Sequence, residues 1–389
     1  MFFLNGLSDL RLDIIGFLAI LGEGSVTSNS QVAALSSLFY LPRLLPAPQA
    51  LLRPSRPATL VPTDAQVSGV HNGMHKGHIN HVANVLLGDD LPKHAVRVVE
   101  IVKNTDGPKG KNTDGPRVRA KTMGPLAAIA LLGCFYSIGL LIASILYDDG
   151  MSLLATITLS FLSTLIGISN HWDLKFAKVT KDDVPPGHLV IRFYKGAFIV
   201  VKCKEEVARE LYFAPEEIEY TMGHPAIYRL TSLMGTLLLM LGVVALANAK
   251  LYLQLAWAGA YITLNAAYWA AAAVPHRYHW DLSRYTVHEQ GFDTGAENPT
   301  FTLALWKTIV ATKSIDWVAT NEASPQTPAW KEWLREAEEK ALGAGTIDKR
   351  RFTGPNQGHH VGKVYQVPNW DAQDALQRCL NPNRPDNRA

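Results

Sequence analysis

Four long apolar runs occupy the middle of the chain, and more polar segments flank and separate them. The runs cover residues 125–147, 151–169, 230–249 and 251–274, and none of them contains a charged residue. A helix of about 20 apolar residues matches a hydrocarbon core of roughly 30 Å. The pattern therefore predicts four transmembrane helices.

Short connections join the runs in pairs. Residues 148–150 (DDG) separate the first two runs, and residues 248–250 (NAK) mark the bend between the last two. Connections this short predict two antiparallel transmembrane hairpins, 125–169 and 227–274. The tetrapeptide His-Trp-Asp-Leu follows each hairpin, at 171–174 and at 279–282, which indicates an internal duplication.

Basic residues indicate the orientation of the hairpins. Those beside the runs lie at the ends away from the tips: Lys109, Lys111, Arg117, Arg119, Lys121, Lys175, Lys178, Lys181, Arg229, Arg277 and Arg284. The tips carry only Lys250, which Asp148 and Asp149 oppose. Because lysine and arginine favour the cytosolic side, this distribution predicts cytosolic termini and a cytosolic middle segment, with the organelle unspecified.

The segment before the first hairpin divides into two predicted parts. Residues 1–94 are expected to form a largely disordered leader, because the apolar run 14–21 is too short to span and proline and arginine recur in 41–62. Residues 95–124 predict a strand at 95–103 and a basic linker that contains KNTDGP at 103–108 and again at 111–116.

The other polar segments predict a small α+β part. Within 170–226, strand-like runs on both sides of Lys195-Gly196 predict a β-hairpin over 188–203, and 204–213 predicts a short helix. We expect the hairpin to pair with 95–103 or with 284–289. The fold class predicted is an α-helical polytopic membrane protein with four transmembrane helices in two hairpins, a small α+β cytosolic part and C-terminal amphipathic helices.

Those C-terminal helices fall within 275–342, at 300–319 and 328–342. The second begins at Thr327 and Pro328 and stops at Gly343, and one of its faces carries Trp330 and Trp333. That face must cover something, either the chain's own cytosolic part, a partner protein or a membrane surface. Residues 343–389 predict a mostly disordered tail with a docking segment at 367–376.

Composition narrows the partners but not the activity. A net charge of +3 is too small to indicate a nucleic acid, so none is expected. The three cysteines give neither metal-binding spacing nor a disulfide framework. No catalytic motif and no cofactor motif occurs, so catalytic residues and cofactors are both predicted as none. The lipid bilayer is the expected partner, and a homo-oligomer is left open.

The His-Trp-Asp-Leu repeats supply the candidate site residues. Trp172 and Trp280 are predicted to anchor the chain in the headgroup layer, where an indole ring is half wet and half dry. A metal site is the alternative, with candidate ligands His171, Asp173, His276, His279 and Asp281. Pro275 counts against it, because it breaks the helix that would align two of the histidines.

Two amides lie inside the fourth run. Gln254 and Asn265 are the amide side chains of this run, and Asn265 is near the predicted middle of the bilayer. An isolated amide in a bilayer more often bonds a neighbouring helix than a substrate. We therefore predict interhelical hydrogen bonds for both.

Three strings together resemble a known group of sequences: RELYFAPEEIEY at 209–220, the second His-Trp-Asp-Leu with its preceding run, and ALWKTIVATKSIDWV at 304–318. They are similar to a family of uncharacterised multi-pass membrane proteins of filamentous fungi. The likeness covers roughly residues 95–342. It implies a membrane protein with a cytosolic C-terminal region and carries over no activity.

Three functions remain open from the sequence. The leading hypothesis is a scaffold that recruits partners through its cytosolic part and C-terminal helices, and an enzyme is disfavoured. The second is a membrane-embedded metal-dependent enzyme or transporter that uses the two His-Trp-Asp-Leu segments. The third is membrane shaping by two hairpins, in the manner of reticulon-like proteins, which the full length of the runs disfavours.

Overall fold

The computed structural model describes residues 23–88, 91–104, 117–175, 186–352 and 360–381. The chain divides into two compact units, and each unit gathers three separate stretches of sequence. Unit 1 consists of Met1–Thr59, Pro116–Lys175 and Glu217–Leu282. Unit 2 consists of Leu60–Gly115, Phe176–Glu216 and Ser283–Ala389.

The helices in chain order are α1 (Glu23–Ala33), α2 (His81–Leu87), α3 (Pro125–Leu146), α4 (Gly150–Asn170), α5 (Glu205–Ala208), α6 (Pro225–Ala247), α7 (Leu251–Ala273), α8 (Phe301–Thr312), α9 (Asp316–Thr320), α10 (Pro328–Leu342) and α11 (Ala372–Leu380). The strands are β1 (Thr63–Gly69), β2 (His75–Ile79), β3 (Val96–Lys103), β4 (Arg117–Ala120), β5 (Trp172–Lys175), β6 (Leu189–Arg192), β7 (Phe198–Lys202), β8 (Ile218–Tyr220), β9 (Trp280–Asp281), β10 (Tyr285–Phe292), β11 (Thr346–Phe352) and β12 (His360–Tyr365). Short 3₁₀ turns and one π-helical turn, Arg209–Phe213, complete the pattern.

Unit 1 is built on the two predicted helical hairpins, α3–α4 and α6–α7. Among the described helices, α3, α4 and α6 are long and apolar enough to cross a membrane. Helix α7 is 23 residues long, contains the two amides Gln254 and Asn265, and is not among these three. The structure thus has three candidate spans together with a part that contains β-sheet.

Small residues bring the helices of unit 1 together. Ser144 on α3 and Ser152 on α4 are joined by a hydroxyl–hydroxyl hydrogen bond of 2.8 Å. A side chain at Gly242 on α6 would meet Leu159 on α4, since a Cβ there would lie 2.6 Å from it. Close packing and such polar contacts hold helices together where no hydrophobic force acts between them.

The tips of the two hairpins are joined to each other. Asp149 begins α4, and its Oδ1 accepts N–H bonds from Met151 (3.1 Å) and Ser152 (3.2 Å). Its Oδ2 accepts the N–H of Lys250 on the other tip at 2.7 Å. The Lys250 ammonium donates in return to the carbonyls of Tyr147 (2.6 Å) and Asp148 (3.2 Å).

At the opposite ends of the hairpins, four short strands form a sheet in the order β8-β5-β4-β9. Strand β4 precedes the first hairpin, β5 follows it, β8 precedes the second and β9 follows that one. All four ends of the two hairpins therefore meet in one sheet.

Within the predicted disordered leader, 1–94, residues 23–59 fold in unit 1, and β1, β2 and α2 belong to unit 2. Helix α1 and the 3₁₀ turns Ser37–Tyr40 and Pro48–Leu51 pack inside unit 1. Val26, Val32, Phe39 and Leu44 on this stretch are buried. Burial against the helices offsets the entropy of ordering this segment, whose prolines prevent one continuous helix. The apolar run 14–21 and most of the KNTDGP linker lie outside the described residues.

Unit 2 is an eight-stranded mixed sheet in the order β11-β12-β10-β3-β7-β6-β1-β2. The pairs β3–β7 and β10–β12 are parallel, and the other pairs are antiparallel. Strands β6 and β7 lie within the predicted hairpin 188–203, with Gly196 at φ +71° in its turn. The hairpin pairs with β3, and β3 pairs with β10, so both expected neighbours of the hairpin belong to one sheet.

The C-terminal helices cover one face of this sheet. Trp306, Trp317 and Trp333 from α8, α9 and α10 are buried in a core with Val98 and Val200 of the sheet. Helix α10 begins at Thr327, whose hydroxyl accepts from Trp330 N at 3.4 Å, as predicted. The predicted helix 300–319 is two helices, because Lys313 at φ +54° ends α8 in a left-handed conformation.

The tail contains more structure than the sequence predicted. Residues 346–352 and 360–365 are strands β11 and β12, and the proposed docking segment 367–376 leads into α11. Trp370, Ala372 and Leu376 pack against the core of unit 2, and Trp333 Nε1 donates to Ala372 O at 2.8 Å. The docking segment therefore docks on its own chain.

Candidate functional site

The two His-Trp-Asp-Leu copies meet in the small sheet of unit 1. Strand β4 pairs with β5 through one copy and with β9 through the other. The rings of Trp172 and Trp280 are in edge contact, with centroids 6.3 Å apart and planes at 65°. Trp172 is 1% exposed and Trp280 is 3% exposed, and Trp172 Nε1 donates to Gln31 O at 2.9 Å. Both indoles are therefore covered by protein, and their anchoring role in the headgroup layer stays a prediction.

The candidate metal ligands of the same segments do not converge. His171 Nδ1 lies 2.8 Å from the Thr221 hydroxyl, and its ring stacks on Tyr40 at 5.3 Å. His279 is buried and its Nε2 lies 3.1 Å from Ala271 O. Burial lowers the pKa of both histidines, which favours the neutral ring. In the described part of the chain, no three His, Cys, Asp or Glu side chains form a group that could hold a metal ion, and this includes Asp173, His276 and Asp281.

The two predicted interhelical amides are engaged. Gln254 Nε2 donates to the carbonyls of Leu246 (3.2 Å), Ala247 (3.0 Å) and Ala249 (2.9 Å), so it caps the end of α6 from α7. Asn265 Oδ1 accepts the Ser25 hydroxyl of α1 at 3.1 Å. Both amides therefore link helices.

Glycines on three different helices make room for the segment that follows α1. A Cβ at Gly133 of α3 would lie 2.7 Å from Leu44 O, and one at Gly167 of α4 would lie 2.3 Å from Phe39 O. A Cβ at Gly235 of α6 would lie 2.5 Å from the Leu52 side chain. We call residues 38–52 the inserted segment. The three helices that carry these glycines, α3, α4 and α6, are the ones that are long and apolar enough to cross a membrane.

The inserted segment contains a buried cation, Arg43, which is 1% exposed. Its Nη1 donates to Leu38 O (3.2 Å) and Phe39 O (2.9 Å), and its guanidinium lies 4.6 Å from the centre of the Phe39 ring. Nε and Nη2 have no acceptor in hydrogen-bonding geometry among the described residues, and Tyr268 and Cys134 are their polar neighbours. A buried charge is costly unless it is paired, so Arg43 is a candidate functional residue.

Unit 2 carries a row of titratable side chains across four neighbouring strands. Lys202 on β7 pairs with Glu100 on β3, and Glu100 pairs with His288 on β10. His188 precedes Leu189, which pairs with Val201, so His188 stands opposite Lys202. We call these four residues the polar row. Directly paired residues share a face of the sheet. Val98 and Val200, two positions earlier, belong to the covered core of that face.

Hydrogen bonds fix the carboxylate of the row. Tyr365 Oη donates to Gln290 Oε1 at 2.9 Å, and Gln290 Nε2 donates to Glu100 Oε2 at 2.9 Å. The Lys202 ammonium lies 4.6 Å from the centre of the Tyr365 ring. The row therefore combines a fixed carboxylate, an ammonium group and two imidazoles at the carboxyl ends of the parallel strands β3 and β7. Ligands of open α/β sheets bind at such ends.

Burial and nearby charges lower the pKa values of Lys202 and His188 in the polar row. Burial lowers the pKa of Lys202 to about 8, the charge of Lys363 lowers it further, Glu100 opposes this, and Lys313 adds to the lowering. Burial and then Lys202 lower the pKa of His188 to about 4, so its ring is neutral at pH 7. Perturbed groups of this kind cluster at functional sites.

Sequence reasoning missed both the inserted segment and the polar row. The inserted segment looked like a disordered leader, because its apolar residues have no regular period. The row had a weak signal, since Lys202 is the one charged residue in the apolar stretch 197–203. The register that aligns Lys202 with Glu100 was needed to recognise it. Comparison with protein-family models, with curated proteins and with solved structures finds no match to this chain.

Proposed function

We propose that this chain is a four-span membrane protein that holds unit 2 at the cytosolic membrane face, where unit 2 acts as a scaffold that recruits a partner. In this proposal α7 is the fourth span. The lipid bilayer is the first partner, and the recruited molecule is the second.

The order of strands in the sheet of unit 2 carries the topological part of the proposal. Strand β3 precedes the first hairpin, β7 lies between the hairpins and β10 follows the second, yet the three are neighbours in one sheet. Strands that pair must be on the same side of a membrane. This pairing supports an even number of crossings in each hairpin. Because α6 is long and apolar enough to cross, it also supports a return crossing by α7.

The distribution of basic residues supports a cytosolic position for unit 2. Arg229 and Arg277 lie at the sheet ends of the second hairpin, whereas the tips carry Lys250 alone. Backbone carbonyls of the other tip hold the Lys250 ammonium. The excess of positive charge at the sheet ends is typical of the cytosolic side.

The packing of α10 limits which surface of unit 2 could bind a partner. Trp333, Ala337 and Ala341 on its apolar face are buried in the core of unit 2, so this face is not a docking surface. Recruitment then relies on the outer surface of unit 2. The rival metal-dependent enzyme or transporter at the two His-Trp-Asp-Leu segments has less support, because their tryptophans pack on each other.

Cysteine labelling in sealed vesicles tests the topology. Cys134, Cys203 and Cys379 would be replaced by alanine, and a single cysteine introduced at Asn248 in a tip or at Lys331 on α10, both exposed. We expect a membrane-impermeant maleimide to label the two positions from opposite sides. Labelling of both from the same side would contradict four full spans and favour the hairpin wedges of a membrane-shaping protein.

A photo-cross-linking residue tests recruitment. Tyr194, in the turn between β6 and β7, is 85% exposed and gives a position on unit 2 that disturbs no core contact. We expect a cross-linker there to capture one partner reproducibly in native membranes, and the same cross-linker at Asn248 to capture none. Absence of any adduct from Tyr194 and from a second exposed position, Leu380, would contradict a scaffold.

A further inference from the structure

Two further lysines, Lys313 and Lys363, act on Lys202 of the polar row, and Glu100 is the carboxylate of the row. The charges of Lys363 and Lys313 act on Lys202 from β12 and from the end of α8. Within the described residues, none of these three lysines forms a salt bridge. The charge of Glu100 opposes the effect of these two lysines on Lys202, and Gln290 Nε2 already donates to the Glu100 carboxylate. Like charges brought together on a partly buried face destabilise one another, so an anion bound among them would relieve that cost.

A second observation points to the same place. The Nδ1 atom of His188 is buried and has no partner in good hydrogen-bonding geometry in the part of the chain that the structure describes, where the Cys203 carbonyl is the backbone acceptor near its ring. Its ring lies between Lys202 on β7 and His71, whose ring centroid is 5.7 Å away. A buried polar atom without a partner calls for an explanation, and a bound ligand is one.

We propose that the polar row and the lysines around it bind the phosphate group of a phosphate ester. Lys202, Lys313 and Lys363 supply the positive charge, and His188 and Tyr365 line the sheet side of the site. A phosphate monoester carries a charge of about −1.5 to −2 at pH 7 and three strong acceptor oxygens, which suits three ammonium donors better than a single carboxylate does. The site does not depend on whether unit 2 also recruits a protein.

The full chain in detergent and phosphate-free buffer tests the proposal, with inorganic pyrophosphate as the probe. At about ten times its Kd, we expect pyrophosphate to raise Tm by about 3 °C. Lys202→Met should abolish the shift, and Lys363→Met should weaken binding by roughly tenfold or more. The matched control is Lys331→Met, which removes an exposed lysine on α10 and should keep the full response.

Two results would overturn the site. One is no change in the Tm of the unmodified chain at 10 mM pyrophosphate. This concentration is about the highest Kd at which we would still call the binding specific. The other is an equal shift in the unmodified chain and in Lys202→Met. Should Lys202→Met fail to unfold cooperatively, Lys363→Met carries the test, because Lys363 is exposed and its removal leaves no cavity.

The pH dependence gives a further readout. Lys202 must be protonated to hold an anion. Burial and then the charge of Lys363 lower its pKa to about 8, Glu100 opposes this and Lys313 adds to the lowering, while His188 and Tyr365 also face Lys202. We expect affinity for pyrophosphate to fall as the pH rises through about 8, earlier than for an ordinary lysine. Affinity that stays constant up to pH 10 would exclude Lys202 from the site.

Two further experiments distinguish the two possible sources of the phosphate group. Glycerol 3-phosphate tests a soluble ester, and nanodiscs with phosphatidic acid, compared with phosphatidylcholine alone, test a lipid headgroup. A Lys202-dependent shift in either arm supports the site and assigns its source. Silence in both arms overturns it, whereas the topology measured by cysteine labelling would be unaffected.

Discussion

Each unit of this protein encloses a cation, and the two cations are held in different ways. Arg43 in unit 1 is 1% exposed and donates to backbone carbonyls of its own segment. Lys202 in unit 2 is partly exposed, lies over an aromatic ring and has two other lysines as electrostatic neighbours. Arg43 is enclosed by protein and donates through Nη1, with Tyr268 and Cys134 near its other nitrogens, whereas Lys202 is partly exposed and has more positive than negative charge near it. From this comparison we expect Arg43 to support the fold and Lys202 to hold an anion.

The largest effect should come from the glycine that lets the inserted segment approach. Gly167→Ala would bring a Cβ within 2.3 Å of Phe39 O, a backbone atom that cannot rotate away. We expect a loss of about 3 kcal/mol of unfolding free energy, at the upper end of overpacking effects, or failure to assemble. Thermal unfolding of the purified protein measures it.

The control for that variant is Gly139→Ala on α3, where a Cβ would meet nothing within 4 Å. It should be neutral or slightly stabilising, because alanine favours helix more than glycine does. If both variants behaved alike, the inserted segment would not lie against α4.

Substitution of Arg43 should have the next largest effect on the free energy of unfolding. Arg43→Ala leaves a cavity and frees the carbonyls of Leu38 and Phe39, so we expect a loss of about 3 kcal/mol. Arg43→Met fills the volume and should recover part of it. Denaturation of both variants in detergent would measure the difference. A stability of Arg43→Ala equal to that of the unmodified chain would mean that Arg43 serves a ligand and not the fold.

Substitution of Lys202 should change the free energy of unfolding in the opposite direction. Lys202→Met relieves repulsion and desolvation, so we expect a gain of about 1 kcal/mol at pH 7, together with loss of phosphate binding. The unmodified chain should become more stable as the pH rises from about 8 to 10, because the unfolded chain then binds more protons than the folded one. Lys202→Met should lack that rise. Destabilisation by this variant at pH 7 would remove the contrast with Arg43.

The smallest effect concerns the buried tryptophans. Trp172→Phe keeps an aromatic ring but removes the N–H that donates to Gln31 O, which should cost about 1 kcal/mol. Unfolding free energy measures it. A change in membrane association without a change in stability would instead favour the headgroup role predicted from sequence.

The sequence was informative where the pattern is regular. Runs without charge gave the helical hairpins, and Thr327, Pro328 and Gly343 gave the bounds of α10. Local chemistry decides such elements, because the periodicity and caps of a helix are written in adjacent residues.

It was uninformative where contacts distant in sequence decide the structure. Residues 23–59 fold because Gly133, Gly167 and Gly235 on three helices admit them, and no local signal in the segment reports this. The tail at 360–380 is ordered because β12 pairs with β10 and α11 packs on the tryptophans of α8 and α10. The polar row exists only in the register of β3, β7 and β10.

The most direct test of the account is a cross-link between the segment before the first hairpin and the segment after the second. Val102 on β3 and Thr286 on β10 are register partners. In a chain whose own cysteines are replaced, Val102→Cys with Thr286→Cys should form an intramolecular disulfide on mild oxidation in native membranes. The pair Val102→Cys with Asn248→Cys should not. If the Val102–Thr286 pair stayed reduced while maleimide labelled each cysteine from opposite sides of the membrane, the shared sheet and the four-span topology would both be contradicted.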